Sequence, residues 1–289
     1  MKQFLQFKKQ RDLGDILTDT FKFIRLEGKS LFILILKICG PALLVILLSF
    51  IYYAQSTMSS FGTVFSNNTN FNIFSTDVIL SIILMLISMM IYYALLQSTV
   101  LSYIKIYIEN KGIVSEQQVR DGVKNSFWNV LGLSFLVGLL LVVGFAFCGF
   151  PGIYLGVVLA ITYSIAIFEK KDVTDTIGYS FKLIKGEWWN TFATFFVVII
   201  LFYIILVIFQ IPQYIYFFSK SFTSGEDFSA DPAQVFDWVY IALNSIAMIA
   251  QYLLYTILVI ASSLVYFNLN EKKNFSGTIE TIDAIGNRE

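Results

Sequence analysis

Residues 127–168 read FWNVLGLSFLVGLLLVVGFAFCGFPGIYLGVVLAITYSIAIF, two apolar runs joined by Cys148-Gly149-Phe150-Pro151 with no charged side chain anywhere between them. At about 1.5 Å of rise per helical residue, such runs match a hydrocarbon core of about 30 Å. The joint is too short for anything but a tight turn, so the pair predicts a transmembrane helical hairpin. Four further runs of this kind lie near Leu31–Tyr52, Val78–Tyr103, Thr191–Gln210 and Val239–Tyr266, and the two arms of the quoted hairpin are Phe127–Phe147 and Gly152–Phe168. A composition of 57% hydrophobic, 17% aromatic and 14% charged residues agrees, since it leaves too little polar surface for a soluble globule.

Charge gives the orientation. Of 20 Lys and Arg residues, 18 fall in the N-terminal segment, the loop after the second run, the loop after the fourth, and the tail. The opposite hairpin ends hold only Lys220, and are otherwise uncharged or acidic, with Glu226, Asp227, Asp231 and Asp237. Lys and Arg are retained on the cytoplasmic side during insertion, so both termini are expected inside. No cleavable leader is expected in the charged first thirty residues. Cys39 and Cys148 are expected as two free thiols, too far apart to bridge.

The segments before the hairpins echo one another. Leu13 to Phe32 aligns without a gap on Val173 to Phe192, with identities at Asp15/Asp175, Phe21/Phe181, Lys22/Lys182, Ile24/Ile184, Glu27/Glu187 and Phe32/Phe192. Val119, Asp121, Val123, Ser126 and Phe127 repeat the pattern before the third run, and Glu109-Asn110-Lys111, Glu169-Lys170-Lys171 and Glu271-Lys272-Lys273 close each even-numbered run. Markers recurring in fixed order suggest triplication. The expected fold is all-α and integral to the membrane: six transmembrane helices in three hairpin repeats, each preceded by a cytoplasmic amphipathic helix. One polytopic domain would span residues 1–273, with repeats at about 11–111, 115–171 and 172–273, and 274–289 as a cytoplasmic tail. In the first pre-span helix, Leu13, Ile16, Leu17, Thr20, Phe21 and Ile24 form the apolar face and Asp15, Asp19, Lys22 and Arg25 the polar one, a pattern suited to the headgroup plane.

Candidate contacts for a lipid or solute are few. Lys37 is the one ionisable side chain placed within a span; it either snorkels back to the headgroups or binds a lipid phosphate or solute beside the Gly40-Pro41 kink. Gln97, Asn129, Gln210, Asn244 and Gln251, with Thr99, Thr162 and Thr256, either line a path or hydrogen-bond neighbouring helices. Trp128, Trp188, Trp189 and Trp238 fit an interfacial belt. The chain has no histidine, which removes His-ligated iron, the HExxH zinc helix and every imidazole triad. No GxSxG, Walker or GxGxxG motif occurs. No catalytic residue, metal site or cofactor is expected, and no nucleic-acid partner. Asn67-Asn68-Thr69 is formally a sequon, and Ile279, Ile282 and Ile285 suggest that the tail either forms one frayed amphipathic turn or docks a partner on binding.

Phe150-Pro151-Gly152-Ile153-Tyr154-Leu155-Gly156-Val157, Glu169, and Ser180 to Trp189, together with Arg11-x-Leu13-Gly14-x-Ile16-Leu17 and Phe21, carry a resemblance. The chain resembles a bacterial family of six-span membrane proteins similar to the membrane domain found ahead of some glycerophosphoryl diester phosphodiesterases. The resemblance implies an integral membrane module that is lipid-handling or regulatory. The phosphodiesterase barrel has no counterpart here, so its activity is not carried over. Relatives labelled carotene monooxygenases depend on histidine-bound iron, which a histidine-free chain contradicts.

Together these readings lead to the expectation of a non-enzymatic scaffold or regulatory protein of membrane or lipid homeostasis in the bacterial inner membrane. Its partners would be membrane lipids and a membrane or cytoplasmic protein. A transporter or channel for a small or amphipathic solute is the alternative, and a lipid-modifying enzyme using Glu109, Glu169, Glu271 or the loop aspartates the third.

Overall fold

The computed structural model describes residues 4–65, 76–147, 149–223 and 237–286. The sequon, Cys148, Glu226, Asp227 and Asp231 lie outside these. Among the described residues the helices are α1 (Leu13–Phe65), α2 (Thr76–Glu109), α3 (Glu116–Ala146), α4 (Phe150–Leu159), α5 (Thr162–Phe168), α6 (Val173–Ile184), α7 (Trp188–Thr223), α8 (Trp238–Asn274) and α9 (Ser276–Gly286). Six stretches are long and apolar enough to cross a membrane, with α4 and α5 together forming one of them. The chain is a multi-pass membrane protein.

The fourth span is interrupted where a continuous helix was expected. Ala160 and Ile161 leave the α-helical pattern, and the Thr162 hydroxyl donates to the Leu159 carbonyl at 2.6 Å. A side-chain donor thus takes over a carbonyl that the helix ladder gives up. The α3–α4 turn is as tight as the sequence predicts: Gly149 stands at φ +79°, in the left-handed region, with Pro151 in the first turn of α4. At this hairpin a Cβ on Gly144 would come within 3.0 Å of the Gly152 Cα, so the two helix ends meet backbone to backbone.

The pre-span helices differ from expectation. α1 and α3 run on into their spans without a break, and only α6 stands apart, turning through Lys185, Gly186 and Glu187 into α7. The gapless alignment supplies the reason, because Leu26 in α1 stands where the third segment has Gly186 at φ +87°. A leucine resists that conformation and the helix continues. The buried face of α1 is also rotated from the predicted one. It comprises Ile16, Asp19, Thr20, Phe23, Glu27 and Leu31, while Leu13, Leu17, Phe21 and Ile24 are only partly covered. Two carboxylates on this face have buried partners, described below, and those partners turn the helix.

The chain divides into two compact units. The first comprises 1–39, 93–201 and 256–289; the second comprises 40–92 and 202–255. In the first unit the even-numbered spans make the core: Leu96 to Ile104 of α2 and Val259 to Glu271 of α8 are buried at every position, and α5 buries five of its seven residues. A helix covered on all sides belongs at a centre, whereas the half-exposed Phe135, Leu139 and Val142 of α3 present a face suited to lipid. The second unit is held by Tyr92, whose hydroxyl donates to the Tyr252 carbonyl at 3.1 Å, and by Gln213, which donates to the Tyr240 hydroxyl at 3.0 Å. Asp237 caps α8 by accepting from the amides of Val239 and Tyr240, and pairs with Lys220 at 3.3 Å.

Candidate functional site: the polar end of the first unit

Of the six candidate contacts, Lys37, Gln97 and Asn129 lie in the first unit and Gln210, Asn244 and Gln251 in the second, and among the described residues no hydrogen bond joins any two of them. Lys37 Nζ lies 2.7 Å from Glu116 Oε2 with both side chains half-exposed, so it reaches the first turn of α3. Gln97 is buried, and its Oε1 has no hydrogen-bond partner among the described residues. Asn129 donates to the Lys171 carbonyl at 3.2 Å, Gln210 accepts from Tyr214 one turn on, and Gln251 is exposed. Trp128, Trp189 and Trp238 are exposed, while Trp188 stacks between Tyr154 and Phe192. Cys39 is a buried free thiol, 3.6 Å from the Thr99 hydroxyl.

The polar groups that do assemble were largely missed by sequence reasoning. The segment 4–12, with no helix of its own, is strapped onto the core. Phe7 meets Phe23, Tyr107 and Phe267 with ring centroids at 5.2, 6.1 and 5.7 Å, and the Leu5 amide donates to Tyr107 Oη at 2.9 Å. Arg11, 4% exposed, holds the strap. Its guanidinium donates to Asp19 Oδ2 at 2.9 Å and to the carbonyls of Phe7, Lys9 and Gln6, and its amide donates to Asn268 Oδ1 at 2.8 Å. Burial draws the Arg11 pKa below its usual value, and the Asp19 carboxylate works against that shift. Beside it, Tyr103 donates to the buried Glu27 carboxylate at 2.8 Å.

The residues Glu271-Lys272-Lys273, noticed in the sequence only as a recurring triplet, each tie a different element. Glu271 caps α9, accepting from the amides of Gly277 and Thr278 at 2.7 and 3.0 Å and from the Thr278 hydroxyl at 2.6 Å. Lys272 pairs with Glu187 at 2.9 Å. Lys273 donates to the carbonyls of Lys182 and Lys185, which the C-terminal end of α6 leaves open. The tail is therefore an 11-residue helix rather than one frayed turn, and an ion pair from Glu280 to Lys8 fastens it to the N-terminal strap. Ile279 and Ile282 are exposed on it.

Three clefts open on the first unit. One of about 490 Å³ is lined by Asp12, Asp15, Glu187, Asn190, Asn268 and Lys272 among others. A second, of about 260 Å³, brings Glu109 and Glu169 together with Lys8, Lys105, Tyr266 and Glu280. There Tyr266 donates to Glu169 Oε1 at 2.6 Å and Lys105 to the Ile167 carbonyl at 2.9 Å, while Glu271 is engaged in capping. Among the described residues no three His, Cys, Asp or Glu side chains are arranged to hold a metal ion. The third cleft, of about 480 Å³, runs along the start of α3. No family model, curated protein or solved structure matches this chain.

Proposed function

We propose that the protein is a non-enzymatic scaffold or regulatory component of membrane and lipid homeostasis, built from three hairpin repeats in a bacterial inner membrane with both termini cytoplasmic. The observation that carries the reading is the use to which the polar residues are put. Arg11, Asp19, Glu27, Glu187, Glu271, Lys272 and Lys273 join one element of the first unit to another, and among the described residues no hydrogen bond joins any two of the six candidates for a path. A scaffold needs a rigid, cross-tied face; a conduit needs polar groups from several spans around one axis.

The triplicate origin draws support from the same contacts. Thr20, Ser126 and Ser180, aligned in the three segments, each donate to a carbonyl three or four residues back, at 2.7, 2.9 and 2.7 Å. Thr176, Ser180 and Leu183 are buried at the positions that align on Ile16, Thr20 and Phe23. The described non-glycine residues with positive φ are Lys111, Lys170 and Phe275, and each follows an even-numbered span.

A transport role has one observation in its favour: Gln97 Oε1, Ser98 Oγ and Ser164 Oγ, in α2 and α5, are buried without hydrogen-bond partners among the described residues. Native mass spectrometry from native-membrane nanodiscs separates the readings. A stoichiometric second protein is the outcome expected of a scaffold, and solute flux through the purified protein in sealed vesicles would overturn it.

A further inference from the structure

We propose that the cleft at the start of α3 is a binding site for one anionic phospholipid, its phosphate seated between Arg120 and Lys124 and an acyl chain lying along Ile38, Leu95, Phe127 and Trp128. Gln117, Arg120, Lys124, Phe127 and Trp128 recur at helical spacing and line one wall of the cleft, while Ile38 of α1 and Leu95 of α2 line the other. Polarity changes along that face from amide and cations at its start to aromatic rings one to two turns on, the order in which a lipid passes from headgroup to chain. Trp128 is 76% exposed on a helix apolar enough to span, where an indole marks the interfacial level.

The charges around the cleft are out of balance. Glu116 is shared by two cations, with Oε2 2.7 Å from Lys37 Nζ and Oε1 2.8 Å from Arg120 Nη2. Asp121 accepts from Gln117 at 3.3 and 3.4 Å, and Lys124 has no ion pair or hydrogen bond among the described residues. Three cations thus stand against two carboxylates, and a phosphodiester supplies the missing negative charge. A lipid whose headgroup carries its own ammonium adds a positive charge beside Arg120 and Lys124, so the cleft selects for net negative lipids. A volume of about 480 Å³ suits a headgroup and the upper part of a chain rather than a whole lipid. The inference rests on the membrane-lipid reading above and assigns it a site.

The test uses the full chain in nanodiscs of equimolar phosphatidylcholine and phosphatidylglycerol, with brominated chains on the phosphatidylglycerol. Trp128 emission, taken as the difference between wild type and Trp128→Phe, is expected to be quenched well beyond the level set by bulk mixing. Arg120→Gln/Lys124→Gln is expected to weaken that selectivity about thirtyfold, given an attraction of about 1 kcal/mol for each of the two basic residues. Lys182→Gln, away from the cleft, is expected to leave it intact. Quenching equal to that from brominated phosphatidylcholine overturns the proposal, as does displacement of the lipid by millimolar inorganic phosphate, which would make the occupant a free anion. A tightly bound protein shielding Trp128 from both lipids overturns it too. Each of these results leaves the scaffold reading standing, whereas solute flux removes that reading without touching the lipid site.

Discussion

Replacing Arg11 by Met tests the strap that closes the first unit. The substitution keeps the apolar stem but removes every donor of a guanidinium that is buried against Asp19 and three carbonyls. Breaking one side of a buried ion pair costs about 3–5 kcal/mol, because the other charge stays in a poorly solvating site. Lys9 remains 3.0 Å from Asp19 Oδ2 and is 42% exposed, so part of the compensation survives and the expected cost is at the low end, about 3 kcal/mol. At 1.36 kcal/mol per factor of ten, that raises local opening of residues 4–12 by about a hundredfold. Hydrogen exchange at the Leu5 amide, which is held by Tyr107, reads the opening directly. Asp19→Leu in the Arg11→Met background is expected to recover at least about 1 kcal/mol, since a leucine leaves no orphaned charge. Exchange within about twofold of wild type in Arg11→Met, or additive single and double effects, would refute the claim that this pair fixes the strap.

Gly277→Ala places a Cβ 2.6 Å from the Lys8 carbonyl oxygen and 3.2 Å from Glu271 Oε2, and backbone does not yield cheaply. It is expected to cost about 1–3 kcal/mol and to free α9 to limited proteolysis without altering the spans. Gly144→Ala is expected to pry apart the α3–α4 hairpin by a similar amount, since its Cβ would meet the Gly152 Cα at 3.0 Å; a lowered unfolding midpoint in detergent, absent in Gly138→Ala, checks it. Asn190 and Lys272 hold the Glu187 carboxyl below its usual range. Its stabilising effect is therefore complete above the unfolded carboxylate pKa of about 4.3 and is lost as pH falls through the lower folded value. The pair is partly exposed and worth under about 1 kcal/mol, so Glu187→Gln is expected to lower stability by up to that amount at neutral pH and to flatten the acid limb of the stability profile below about pH 4. A difference from wild type that varies between pH 7 and 8 would contradict that assignment.

The six spans were legible in the sequence because a bilayer demands runs of fixed length and polarity, and no tertiary contact is needed to read them. The α3–α4 turn was legible for a similar reason, since Gly149 and Pro151 each fix a local backbone geometry. Lys37 was legible only as a lone cation in a span, because its partner Glu116 lies 79 residues away. Asp19, which sequence reading placed on the polar face of its helix, the fold turns inward, because Arg11 waits there and helical periodicity alone ranks a carboxylate as polar whatever it meets; Glu27, read only as a repeat identity, is buried against Tyr103. The Glu-Lys-Lys triplet was visible as a repeat yet silent as a set of clamps, since capping α9, pairing Glu187 and closing α6 are contacts made through space. By itself the sequence determined the membrane, the number of crossings and the local turns, all set by solvent and backbone chemistry. Only the tertiary structure decided which charges are buried with partners and which, like Lys124, stand without one among the described residues, because a charge is tolerated or left over according to what other segments bring to it.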